Sequence, residues 1–267
     1  MSVATIQTHL QRMNDQIQQN RLELMHLKQR VCASEARELL RLHRREPTMP
    51  VRFRAQFAED ATAWELLGCP LDGFFIEVGA FDGLNYSVTY ALEALGWKGL
   101  LVEAIPQRSE QCRHNRRNSR VVHAALSRPG SPAAMSFTIA NDQYGGMLSY
   151  LGENASAERD LQNASVAFER VSVPVTTMDH LLAEHKGPID LASIDVEGGE
   201  LALLEGFDLH KHRPRVLLLE DNSLGSDPAL GAYMQSQPYV QVAWAEVNRV
   251  YVHRDERDIL ARCAVAA

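Results

Sequence analysis

The sequence predicts an α/β fold: a doubly wound, mostly parallel sheet of seven strands with an antiparallel C-terminal strand, preceded by an N-terminal helical arm. Three observations predict it. Residues 4–46 contain neither Gly nor Pro and are rich in Gln, Arg, Glu and Leu, all good helix formers. From Phe74 to His123, short apolar runs alternate with helical stretches in a β-α-β-α-β order, which calls for parallel strands. The chain then closes on two strand-like segments that turn near Ala245-Glu246, as a hairpin does.

A chain of 267 residues accommodates one large domain and a small extra element. Its 45% apolar and 23% charged residues are ordinary for a soluble globular protein and exclude global disorder. No stretch approaches the ~18 apolar residues of a membrane span, and the N-terminus lacks the apolar core of a secretory leader. Cys32, Cys69, Cys112 and Cys263 are scattered, with no CxxC or Cys/His cluster, so reduced thiols are expected rather than zinc. A cytoplasmic location follows as the expectation. The net charge of −7 argues against a nucleic-acid partner. The arm is locally basic, with eight Lys/Arg against five Asp/Glu in residues 1–50.

The arm is assigned to residues 1–48 and the main domain to 51–267, with Pro47 and Pro50 at the boundary. Ile6, Leu10, Met13, Ile17, Leu24, Leu27 and Val31 follow a heptad seam, with the polar Asn20 at the gap. Two readings stay open: a coiled coil joining copies of the chain into a homo-oligomer, or a helix packed on its own domain.

In the main domain the first strand is Phe74–Val78, followed by the turn Gly79-Ala80-Phe81-Asp82-Gly83 and a helix from Tyr86 to Leu95 with Gly96 as its C-cap. The second strand runs from Gly99 to Glu103, a helix from Ile105 to Asn118, and the third strand from Arg120 to His123. Residues 125–170 read as turns and short strand candidates. Strand Val171–Val175, helix Thr177–His185, strand Ile189–Asp195, a helical turn at Glu200–Gly206 and the apolar strand Val216–Glu220 follow. Tyr239–Trp244 and Val247–His253 form the hairpin.

In open α/β sheets the ligand sits beyond the carboxyl ends of the strands. Glu77, Asp82, Glu103, Asp195, Glu197 and Glu220 gather at those ends. The turn after the first strand lacks the GxGxxG of a dinucleotide site, which argues against a pyrophosphate ligand. Gly79 leaves room for close backbone approach, and an acid before it suits a ligand with an ammonium group. Glu103, at the end of the next strand, suits the two hydroxyls of a ribose.

Four segments together carry a family resemblance. They are Phe74–Gly83, Trp97–Ala104, Val173–Asp179, and Asp190–Glu200 with Leu204-Glu205-Gly206, continued by Arg213-Pro214 to Glu220. On these, the chain resembles the FkbM family of S-adenosylmethionine-dependent methyltransferases over about residues 57–222. The resemblance implies a class I, Rossmann-like methyltransferase fold and O-methylation of a sugar or glycan hydroxyl. A polyketide or other small-molecule alcohol is the alternative acceptor, and a coiled-coil scaffold that binds the cofactor without turnover is a further one. It implies that Glu77, Gly79, Ala80, Asp82 and Gly83 line the methionine end of the cofactor, with Asp195 nearby. Glu103 and Ala104 would lie at the ribose, and the segment His123–Ser127, including Ala124, would flank the adenine. Two positions depart from the pattern: Glu77 stands where Asp is commoner, and Ala104-Ile105 precede Pro106.

An alcohol needs a general base or a divalent metal to attack a methyl group. The candidate catalytic residues are Asp195, Glu197 and Glu220. A candidate magnesium set is Asp195 with Asp221 and Asn222, since hard oxygen ligands suit Mg²⁺. Both acid pairs also read as loop or turn residues. His123, His180, His210, His212 and His253 are further base candidates, none singled out. Asn141–Tyr150 reads equally as a lid or a hairpin turn, and acceptor specificity is expected there and around Ser223–Asp227.

Overall fold

A computed structural model of the chain describes residues 3–141, 149–152 and 155–266. It begins with one long helix, α1 (Val3–Leu42), and a short second helix, α2 (Glu59–Leu66). Then come β1 (Phe74–Val78), α3 (Tyr90–Leu95), β2 (Lys98–Glu103), α4 (Pro106–Asn115), β3 (Arg120–His123), β4 (Ala125–Leu126), β5 (Ala134–Ala140) and β6 (Tyr150–Leu151). The helix α5 (Ala155–Asn163) leads into β7 (Phe168–Thr176), α6 (Met178–Leu181), β8 (Leu191–Ile194), α7 (Glu200–Leu204), α8 (Leu209–His212) and β9 (Val216–Glu220). The chain finishes with α9 (Pro228–Ser236), β10 (Tyr239–Ala245), β11 (Asn248–His253) and α10 (Arg257–Ala266).

Seven strands form the main sheet in the order β10-β11-β9-β8-β1-β2-β3. Five of them run parallel, from β9 to β3, and β11 pairs antiparallel with both β9 and β10. Counted along the chain within this sheet, the order is 3-2-1-4-5-7-6. The order reverses between β1 and β8, so a crevice opens beyond their carboxyl ends.

The strand residues explain the two-sided sheet. Successive side chains on a strand point to opposite faces, so a strand covered on both faces must be apolar throughout. In β9, Val216 and Leu218 join one core while Leu217 and Leu219 join the other. Leu101 and Leu100 of β2 divide the same way. The first core is closed by α2, α3 and the last quarter of α1, where Cys32, Ala33, Ala36 and Leu40 pack among Phe53, Trp64 and Trp97. The second is closed by Met178 of α6, Leu203 and Leu204 of α7, and Leu230 and Met234 of α9.

The strand at Val171–Val175 departs from the expected sheet. It is part of β7, which belongs to a separate four-stranded sheet ordered β4-β7-β5-β6. Seven antiparallel register pairs with β5 hold it there. A strand's own residues do not reveal its partner, and residues 125–170 supply that partner. Several helices are shorter than expected: α3 begins at Tyr90 rather than Tyr86, while α4 ends at Asn115 and α6 at Leu181. Gly96 does end α3, at φ 117°, where a side chain would be strained. Thr177 caps α6 by accepting from the backbone N–H of His180.

The heptad residues of α1 face away from the domain. Leu10, Met13 and Leu24 are 60%, 62% and 65% exposed, so the domain-facing stripe through Cys32, Ala36 and Leu40 is a different face of the helix. No described helix is long and apolar enough to cross a membrane.

Candidate active site

The crevice beyond β1 and β8 is a cleft of about 490 Å³, within the range of small-molecule sites. It is lined by the carboxyl ends of β1, β2, β8 and β9, by Gln56-Phe57 before α2, and by residues of the small sheet such as Met135 and Phe137. Among the described residues no histidine lines it, so none of the five histidine candidates reaches the site. Instead, His123 Nε2 lies 3.0 Å from the Ala104 carbonyl oxygen.

The acids at the strand ends fall into two groups. Glu77 touches the cleft, but both its oxygens already accept hydrogen bonds. Ser87 Oγ donates to one at 2.9 Å and the Val88 N–H to the other at 2.7 Å. Thr89 Oγ1 and Arg116 also donate to it. Arg116 is 1% exposed and binds Glu93 at 2.8 Å as well, forming a buried Glu77–Arg116–Glu93 network. Glu77 thus ties the Ser87–Thr89 segment to β1 rather than offering a free carboxylate. Asp82 and Gly83, expected at the methionine end, do not line the cleft. Asp82 accepts from the N–H groups of Leu84 and Asn85, a local turn that turns its carboxylate inward. Gly83 packs against Arg116 and Cys112.

Gly79 and Ala80 do line the cleft. Gly79 has φ +79°, and a Cβ there would lie 1.8 Å from the Asp195 carbonyl oxygen. The glycine is required by the close approach of β1 to the end of β8, a reason the sequence alone did not disclose.

Glu103 lines the cleft at 6% exposure. One oxygen accepts from the Phe81 N–H at 2.8 Å and the other from the Ile105 N–H at 2.7 Å. Burial pushes its pKa up to about 7 against the lowering effect of those two N–H groups. Ala104 and Ala124 to Ser127 continue the wall.

Asp195 and Glu220 line the same cleft. Asp195 follows β8, Glu220 ends β9, and Glu197 stands in the loop between β8 and α7 at φ 52°. One ligand atom from each of the three lies within 4.8 Å of the others. Glu200 shapes this loop by accepting from the N–H groups of Val196 and Gly198. Burial first, and then repulsion from Asp195 and Glu197, hold Glu220 well above the usual carboxylate range. Asp195 is also raised by burial, although it opens onto the cleft.

The set Asp195, Asp221 and Asn222 is not assembled. Asp221 follows β9 but accepts from Ser223, Gly225 and Arg249, and neither it nor Asn222 lines the cleft. A strand alternates its side chains, so Asp221 points to the face opposite Glu220. Ser223 and Asp227 belong to the same turn and to the cap of α9. Within the Asn141–Tyr150 segment, residues 142–148 lie outside the described residues, and Ser149 lines the cleft.

Sequence reasoning missed Glu59. It is 4% exposed, lines the cleft, accepts from Asn248 at 2.9 Å and has its pKa pushed up to about 8 by burial. The pair Glu59-Asp60 ahead of an apolar run reads from sequence as a helix start and nothing more.

Strand order, glycine turn and the acid at the end of β2 fit one class, the class I, S-adenosylmethionine-dependent methyltransferases. Residues 77–253 match the methyltransferase FkbM domain family model. The chain belongs to the FkbM family. No curated protein matches it. Among solved structures, the N-terminal domain of human METTL16 in complex with SAH is 16% identical, covering 77% of this chain and 70% of that one, with a TM-score of 0.37. An O-methyltransferase from Bacillus cereus in complex with SAH is 13% identical, covering 83% and 89%, with a TM-score of 0.38. The C-terminal domain of precorrin-6Y C5,15-methyltransferase from Rhodobacter capsulatus is 12% identical, covering 72% and 85%, with a TM-score of 0.37. These likenesses are distant, and the assignment rests on the family match.

Proposed function

We propose that the protein is an O-methyltransferase that transfers the methyl group of S-adenosylmethionine to a hydroxyl of a sugar or glycan. The observation that carries this reading is the grouping of Asp195, Glu197 and Glu220 in the same cleft as Glu103 and the Gly79 turn. The cleft suits the cofactor in size, and Glu103, held by the backbone N–H groups of Phe81 and Ile105, faces it. When bound, S-adenosylmethionine supplies a methyl group on a positively charged sulfur. Glu103 then accepts from the ribose hydroxyls, the Gly79-Ala80 backbone borders the methionine part, and Ala104 and Ala124 border the base.

Asp195 is the group we assign to the acceptor. Its carboxylate would take the hydroxyl proton as the O–C bond forms and the methyl carbon–sulfur bond breaks, releasing S-adenosylhomocysteine; burial raises its pKa. Glu197 and Glu220 add polar groups beside it, which favours a polyhydroxylated acceptor. The four cysteines are free, which fits a reducing compartment such as the cytoplasm.

The exposed heptad face of α1 supports a second reading, self-association through a coiled coil, because its own domain leaves that face uncovered.

Calorimetric titration with S-adenosylmethionine and S-adenosylhomocysteine tests the first reading, with Glu103→Ala alongside. Binding by the natural sequence, its loss in the variant, and a methyl group gained by a sugar acceptor in mass spectrometry are the expected results. No binding of either nucleoside overturns it.

A further inference from the structure

We infer that Asp195, Glu197 and Glu220 form a divalent-cation site that holds the acceptor's hydroxyl oxygens beside the methyl donor. The inference rests on the methyltransferase reading for its role, though not for its ligands. Three carboxylates come from three different points of the chain: the end of β8, the loop after it and the end of β9. Their ligand atoms lie within 4.8 Å of one another. Two oxygens on opposite sides of a hard cation, each about 2.0–2.6 Å from it, are about 4–5 Å apart, so the spacing matches a shared ion.

A second observation points to a ligand. Glu220 is 6% exposed, and its Oε2 is buried with no hydrogen-bond partner among the described residues. A buried carboxylate oxygen without a donor is costly, and natural proteins rarely leave one unless an ion or water completes it. The protein's own cations do not supply the need. Arg249, on the neighbouring strand, is bound to Asp221 on the other face. Among the described residues Arg128 is the one basic residue lining the cleft, and it pairs with Glu205. A hard divalent cation at this point lowers the pKa of a hydroxyl bound to it, so that the proton passes to a nearby carboxylate more readily.

The test is Mn²⁺ binding to the whole protein, read by loss of the free-ion signal in electron paramagnetic resonance, with S-adenosylhomocysteine binding measured on the same samples. Glu220→Gln is the direct variant. Glu197→Gln is the second, because its loop position leaves the core intact. Binding of Mn²⁺ by the natural sequence, weakened about tenfold or more in both variants, is expected. S-Adenosylhomocysteine affinity should stay within about twofold in both. No Mn²⁺ binding at millimolar concentration, or equal binding by all three proteins, overturns the inference. Mn²⁺ binding that follows this pattern in a protein that binds no S-adenosylhomocysteine supports the cation site while refuting the methyltransferase reading.

Discussion

Glu77 and Glu220 both lie near the carboxyl end of an apolar parallel strand, and both are buried glutamates facing one cleft, yet they have opposite surroundings. Glu77 accepts from Ser87, Val88, Thr89 and Arg116. Glu220 meets Asp195 and Glu197, and among the described residues one of its oxygens has no donor. The lesson is that an acid at a strand end serves structure when the protein supplies its donors, and is open to chemistry when it does not.

The largest expected effect tests the first half of that contrast. Glu77→Gln turns an acceptor into a partial donor among four donors and leaves Glu93 as the one carboxylate paired with Arg116 among the described residues. We expect a loss of about 3 kcal/mol in denaturant unfolding, and an unchanged midpoint would break the comparison. Next, Glu103→Ala should weaken S-adenosylhomocysteine binding about 100-fold, which is about 2.8 kcal/mol at 1.4 kcal/mol per tenfold, in calorimetry. Equal affinity would mean that Glu103, like Glu77, is structural.

Glu220→Gln should act in the opposite direction to Glu77→Gln. Without added metal it removes repulsion among the carboxylates and should stabilise the fold by about 1 kcal/mol, a rise of a few degrees in the unfolding temperature. A fall as large as that of Glu77→Gln would show that Glu220 has structural donors after all.

The pH dependence sharpens the same contrast. Burial raises Glu103 to about 7 and Asp60 to about 6 in the folded chain. A carboxyl with a raised folded pKa binds more protons folded than unfolded, so its contribution is fully present below the unfolded pKa and is lost as pH rises through the folded value. The ligand-free protein should therefore lose a few degrees of unfolding temperature between about pH 5 and pH 8. Asp221 is lowered instead, by Ser223 and Arg249 against the raising effect of burial, and its contribution is lost only in acid. A flat profile between pH 5 and 8 would contradict the raised values.

The smallest effect on stability is expected from removing residues 1–20, which carry exposed heptad residues and none of the buried stripe that begins at Cys32. Unfolding should change by less than about 0.5 kcal/mol, while the light-scattering mass falls. An unchanged mass would refute self-association.

Much of this was legible before any coordinates. The apolar runs at Phe74–Val78, Leu100–Val102 and Val216–Leu219 could only be strands buried on both faces, and Glu103 was found at its strand end because period and turn chemistry are local. The second sheet was not legible, since β7 pairs with a strand thirty-odd residues away and nothing in its own residues names that partner. Asp221 was misread for a related reason: a two-residue period sends Glu220 and Asp221 to opposite faces, and only the position of Arg249 shows which face holds the salt bridge.

By itself the sequence determined the alternation of strands and helices, the heptad pattern of the arm, the family and most of the acids at the strand ends. Those properties depend on residues near one another along the chain. Tertiary structure alone decided which acids keep a free oxygen, why Gly79 must be glycine, and that Glu59 reaches the site. Each depends on a partner distant in sequence, and a carboxylate's chemistry is set by the donors and charges that folding brings to it.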